Sequence, residues 1–207
     1  MEHTCIMKTI NQKIMMLAKS RKIFRASDIS AQGLPRVALT RLVREGQLIR
    51  IDRGLYTLPE RQSSQHSSLA EVASRYPDGI ICLLSALRVH DITTQSPFEV
   101  WLAIAHKARA PKMDYPQLRV IRFSDRARTE GIEEQSVDGI TIKVTNIERT
   151  VVDCFKFRNK IGLDVALEAL REAWDAKRLN MDELWRYANL FRVANVMRPY
   201  LESLRAE

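Results

Sequence analysis

At Gly46 the hydrophobic period of this chain changes. Ahead of it, placing successive residues about 100° apart puts Ala38, Leu39, Leu42 and Val43 on one side and Arg36, Thr40, Arg41 and Arg44 on the other. One face packs and the other is cationic. After Gly46 the period is two: Leu48, Ile49, Arg50, Ile51, a break at Asp52-Arg53-Gly54, then Leu55, Tyr56, Thr57 and Leu58. A helix and a strand require different periods, so this stretch is committed to a helix of about three turns and then a tight hairpin. Leu34-Pro35 starts the helix, because proline at the first helical position gives up an N–H that would be unpaired anyway. Gly46 stops it in the left-handed conformation.

Upstream lie a short helix from about Asp28 to Ala31, with Ser27 as its N-cap, and a glycine turn at Gly33. Before these, residues 8 to 20 carry Ile10, Ile14, Leu17 and Ala18 on one stripe, with Lys13 and Lys19 off it. Leu58-Pro59 ends the hairpin, since proline cannot continue a ladder. Helix, turn, helix and hairpin in this order make a winged helix-turn-helix, a module that lays its second helix in the DNA major groove. Arg36, Thr40, Arg41 and Arg44 then face the groove, and Arg50 and Arg53 lie on the wing. The competing reading is a small α+β domain whose basic face is merely solvated.

Charge placement favours the first. The 207 residues carry a formal charge of +8 with a pI near 9.6. Residues 1 to 60 hold 11 Lys and Arg against 5 Asp and Glu, and the rest hold 22 against 20. The excess therefore sits where the helix-turn-helix sits, as phosphate binding requires. The N-terminus is interrupted by Lys8 and Lys13, unlike a signal peptide, and no apolar run reaches the ~18 residues of a membrane span. Cys5, Cys82 and Cys154 are odd in number, far apart and without metal-ligand spacing. A soluble, cytoplasmic protein with reduced thiols is expected.

The polar run Arg61 to Ser68, with His66 in it, reads as a linker, giving a DNA-binding domain at 1–60, a linker at 61–68 and a second domain at 69–207. That second domain is expected to be mixed α/β with a small sheet and a helical tail, making the whole chain α+β. Helices are expected from about Ser68 to Tyr76 and from Ile80 to His90, with Ser85 the outlier in the latter. Strands are expected at Phe98 to Ile104, Leu118 to Phe123, Ile132 to Val137 and Ile140 to Val144, the last two joined at Asp138-Gly139. Glu148 to Lys156 follows Asn146 as a helix, Leu163 to Trp174 keeps helical spacing, and Asn180 caps another helix. In the last one Pro199 predicts a kink or break.

Chemistry-bearing motifs are sparse. There is no Gly-rich phosphate loop, HExxH, CxxC or GxSxG, and no catalytic, cofactor or metal site is assigned. His90-Asp91 invites an acid–base reading, but a His ending an apolar helix more often packs or caps. Glu99 with Lys107, or Asp114 with Lys112, suggests a metal-dependent nuclease targeted by a winged helix, the alternative function; yet Trp101 stands where the carboxylate-x-lysine pattern needs a charged residue. Trp101, Trp174 and Trp185 read as core or interface anchors. Glu148, Arg149 and Asp153 lie within about a turn and can pair at i, i+4, as a structural ion pair or a partner-binding site.

Three runs carry a family resemblance: Leu42 to Tyr56 (LVREGQLIRIDRGLY), Leu84-Ser85-Ala86-Leu87 near His90, and Glu148-Arg149-Thr150-Val-Val-Asp153. Together they resemble the AbiEi antitoxins of bacterial type IV toxin–antitoxin systems, over most of the chain. The resemblance implies a regulator that represses its own operon, binding double-stranded promoter DNA at an inverted repeat as monomer or dimer. It also implies a second domain that counters a nucleotidyltransferase toxin, directly or indirectly. It supplies no catalytic residues.

Overall fold

Ile14, Ala18, Phe24, Ile29, Leu39, Leu42 and Leu48 close into one apolar cluster, and the elements around it follow from where those residues fall. The computed structural model describes residues 2–21, 23–59 and 67–204, with side chains from residue 10 onward. The linker residues 61–66, His66 among them, and the side chain of Cys5 lie outside the described residues. The chain forms two units of mixed α+β structure: residues 1–75 with 136–142, and residues 76–135 with 143–207.

The first unit contains α1 (Glu2–Ser20), β1 (Ile23–Arg25), α2 (Ala26–Ala31), α3 (Val37–Arg44), β2 (Ile49–Asp52), β3 (Leu55–Thr57) and α4 (Ser67–Arg75). The three strands form an antiparallel sheet in the order β1-β3-β2, with Arg50 opposite Tyr56 and an irregularity between Arg50 and Asp52. Gly46 (φ +70°) ends α3, and Gly54 (φ +77°) turns β2 into β3, a left-handed conformation that glycine adopts without a Cβ clash. α2, the turn at Gly33 and α3 make a helix-turn-helix-like region.

Two starts differ from expectation. α2 begins two residues earlier than a Ser27 cap would place it, because the Asp28 carboxylate accepts the backbone N–H of Arg25 at 2.8 Å and Arg25 takes the cap position. α3 begins at Val37, two residues past Pro35, whose carbonyl accepts the N–H of Ala38. Helix α4 groups with the first unit, although the sequence reading began the second domain at residue 69. Arg25 Nη2 donates to the carbonyl of Ser74 at 2.7 Å and Arg75 pairs with Asp52 at 3.1 Å, contacts no periodicity announces.

The second unit holds β4 (Ile80–Ile81), α5 (Leu83–Val89), β5 (Val100–Ala105), β6 (Leu118–Phe123), β7 (Ile132–Val137), β8 (Ile140–Thr145), α6 (Ile147–Lys156), α7 (Arg158–Ile161), α8 (Leu163–Asp175), α9 (Met181–Leu190) and α10 (Ala194–Leu204). Its sheet runs β6-β5-β4-β8-β7, parallel at β5/β6 and β4/β8 and antiparallel at β4/β5. The outer end of the β7–β8 hairpin, 136–142, counts with the first unit. Val151, Val152, Cys154 and Phe155 bury α6 at the centre of the second core.

The helix expected from Ile80 to His90 divides. Ile80 and Ile81 pair with Ala103 and Leu102, so sheet pairing overrides the helical run and α5 begins only at Leu83. Ser85 is buried in α5, where its hydroxyl accepts the backbone N–H of Trp101 at 2.9 Å. α10 continues through Pro199 without a break, with Met197 and Leu201 buried on either side of it.

Candidate nucleic-acid interface

α3 has two faces. Ala38, Leu39 and Leu42 are buried, whereas Thr40 and Arg44 are exposed and Val37 is 79% exposed, an apolar side chain that the sequence reading passed over. Its place beside Thr40 and Arg44 on the outward face of α3 is what marks it.

Arg41 lies at the flank of this face. Its Nη2 donates to Asn11 Oδ1 on α1 at 2.8 Å, and its Nε is 3.6 Å from Glu45 Oε1. Arg36 precedes the helix and donates from Nε to Ser30 Oγ on α2 at 2.7 Å, which fixes it between the two helices. On the hairpin, Arg50 is exposed with Nε donating to the Asp52 carbonyl at 3.2 Å. Arg53, at the turn, is exposed, while its backbone N–H donates to Asp52 Oδ1 at 2.6 Å.

Of the six residues picked from the sequence, Arg36 and Arg53 come together, lining one cleft of about 450 Å³. Thr40 and Arg44 share the open face of α3. Arg25 and Arg75 also line the cleft and were missed, because neither belongs to a period that ties it to the hairpin turn.

The second unit offers a different kind of polar site. Arg149 and Asp153 are fully buried on α6 with Nε and Oδ1 3.0 Å apart, an ion pair by distance whose angles fall short of a hydrogen bond. Arg149 Nη1 donates to the carbonyls of Ala127 (3.2 Å) and Glu130 (2.7 Å), and the guanidinium lies 3.7 Å from the ring centre of Phe191. Glu148 instead accepts the backbone N–H of Asn180 at 2.9 Å, ahead of α9. Burial raises the Asp153 carboxyl above its ordinary range, against the lowering pull of Arg149.

His90 is buried at the end of α5, and its Nε2 lies 2.6 Å from the Thr145 carbonyl, so that nitrogen carries the proton. Burial holds its pKa below the ordinary value. Asp91 is exposed, whereas His90 is spent on Thr145. Burial pushes the thiols of Cys82 and Cys154 well up, with the Asp153 charge adding to it, which disfavours the reactive thiolate. Among the described residues no three His, Cys, Asp or Glu side chains are grouped to hold a metal, and no helix is long and apolar enough to cross a membrane.

Exposed basic side chains on a helix-turn-helix-like region are the marks of a DNA-associated regulator. Residues 12–59 match the family described as transcriptional regulator, AbiEi antitoxin. Over that segment the chain is similar to the AbiEi antitoxin regulators, the family its sequence resembles; the runs at Leu84–Leu87 and Glu148–Asp153 lie outside the matched residues. Among solved structures, the crystal structure of RV2827C protein from Mycobacterium tuberculosis is similar, with a TM-score of 0.55 and 13% identity over 87% of this chain and 71% of that one. At that identity the likeness is one of fold. A search of curated proteins returned no match.

Proposed function

We propose that this protein is a transcriptional repressor of its own operon whose first unit is a winged helix-turn-helix, and whose second unit counters a nucleotidyltransferase-type toxin in the cytoplasm without catalysing a reaction of its own. One observation carries the DNA-binding half: α3 turns Ala38, Leu39 and Leu42 inward and leaves Val37, Thr40 and Arg44 outward, while Arg36 at its start shares a cleft with Arg53 of the hairpin turn. On this reading Arg36, Thr40, Arg41 and Arg44 serve the major groove and Arg50 and Arg53 the wing. The antitoxin half rests on the family match at residues 12–59.

The test is anisotropy titration of the upstream promoter fragment at several salt concentrations. Each phosphate contact contributes about −0.9 to the slope of log K against log salt. Arg44→Gln is expected to weaken binding at every salt. Salt-independent binding, or binding indifferent to Arg44→Gln combined with Thr40→Ala, overturns the groove assignment. For the second half, the protein is co-expressed with a neighbouring nucleotidyltransferase gene: restored growth supports the antitoxin role, and co-purification separates direct from indirect antagonism.

A further inference from the structure

Four arginines from four separate segments line the 450 Å³ cleft: Arg25 ahead of α2, Arg36 ahead of α3, Arg53 in the β2–β3 turn and Arg75 at the end of α4. Among the described residues that line it, Asp52 is the one acid, so four cations face one anion, a formal excess of three. Guanidinium groups that line one cleft repel one another, and an anion among them offsets that repulsion.

The four are not equivalent. Arg25 is committed to the Ser74 carbonyl (2.7 Å) and Arg75 to Asp52 (3.1 Å). Arg36 uses Nε on Ser30 Oγ, and its Nη groups have no protein partner among the described residues. The Arg53 side chain is exposed, and no hydrogen bond or ion pair from it to the described residues is found. Arg36 is held from behind by one bond, and Arg53 sits on a turn whose Gly54 has nothing within 4 Å of where a Cβ would stand. Two forked donors with free ends, in a polar cleft, match the several oxygens of a phosphate group better than the two oxygens of one carboxylate.

We propose that this cleft is a phosphate site: Arg36 and Arg53 close on a single phosphate group, and Arg75 engages Asp52 so that the acid does not compete for them. The source of the phosphate rests on the DNA-binding reading, under which it is one phosphodiester of the DNA backbone; a small phosphorylated molecule would present the same oxygens. Arg75 is then a positioning residue, and it lies beyond the segment that matches the AbiEi family.

The deciding experiment uses the full chain without DNA. Inorganic phosphate is titrated against chloride at matched ionic strength, and the arginine side-chain Nε–Hε signals are followed by NMR. The Arg36 and Arg53 signals are expected to shift together and saturate, with Arg44 and Arg50 unmoved. Arg75→Gln is expected to weaken that saturation while the protein stays folded, as its amide spectrum reports. No saturating shift at Arg36 and Arg53, or equal shifts at Arg44 and Arg50, overturns the proposal.

A second arm identifies the source. If it is DNA, Arg36→Gln with Arg53→Gln weakens promoter binding roughly tenfold or more. The same pair lowers the salt slope by about 0.9, the amount for one phosphate and not for two. If the double variant binds DNA as the parent does, the phosphate site stands and a small phosphorylated ligand is its occupant. If the parent binds no DNA at all, the DNA-binding reading fails by itself and the phosphate titration still decides the site.

Discussion

Arg149 and Asp153 meet at 3.0 Å, one turn apart on α6, with neither side chain exposed to solvent at all. The pair is held in an apolar core whose rings include Phe123 and Phe191, 5.1 and 3.7 Å from the guanidinium carbon. Removing one partner leaves the other charge buried and uncompensated, so Asp153→Ala is expected to cost about 3–5 kcal/mol in urea unfolding. Arg149→Met with Asp153→Leu removes both charges and is expected to recover most of that loss. A double variant as unstable as the single one would show that the hydrogen bonds from Arg149 to Ala127 and Glu130, and not the ion pair, hold this part of the core.

Gly131 sits against the same arginine. Its φ is +64°, and a Cβ there would lie 2.8 Å from Arg149 Cβ and 2.9 Å from Tyr187 Cζ. Gly131→Ala is therefore strained by both backbone and contact, and a loss of about 1–3 kcal/mol is expected. Thermal melting checks it, and Gly33→Ala, where the φ is also positive but nothing lies within 4 Å, should cost less.

His90 predicts a pH dependence. Burial lowers its folded pKa from the ordinary 6.5, so below that value the unfolded chain binds the proton more readily than the native one. Its contribution is fully present above pH 6.5 and is lost as the pH falls from there through the folded value. Melting temperatures of the parent and of His90→Gln, compared from pH 8 to pH 5, should converge on acidification. A parent-to-variant difference that is constant across that range would refute the assignment.

Much of this was legible because local periodicity and the native packing agree. The buried set of α3, the strands β6 and β7, the helix that follows Asn146, the Asn180 cap and the Arg149–Asp153 pairing all depend on neighbours within a turn or on one alternating face. What sequence missed is set by partners distant in the chain. Ile80 and Ile81 are strand only because β5 and β8 flank them. β1 is three residues long and is defined by its pairing with β3. In the candidate interface, the outward set was readable, whereas the turning of Arg41 to Asn11 and the arrival of Arg75 in the cleft were not, since each depends on where another helix lies.

Val37 gives a test of the groove face that involves no charge. An exposed valine on a helix in the major groove has the thymine methyl as its natural contact. Replacing thymines of the operator one at a time by deoxyuridine is expected to lower affinity at one position by about 0.8 kcal/mol, roughly fourfold, the value of one buried methyl-sized group. Val37→Ala should abolish that sensitivity and leave the salt slope unchanged. Equal sensitivity in parent and variant would place Val37 off the bases.

The first unit is not a contiguous piece of chain. Ile23 at the sheet edge donates its N–H to the carbonyl of Asp138 at 3.1 Å, and a Cβ on Gly139 would meet Arg21 at 2.9 Å. A ribosome that has just released Arg75 has therefore not yet made the strand tip that finishes the unit. The hydrogen bond from Ile23 and the close seat of Gly139 against Arg21 wait on the β7–β8 tip, so the contacts of the first unit are complete only after most of the second unit's sheet has been synthesised.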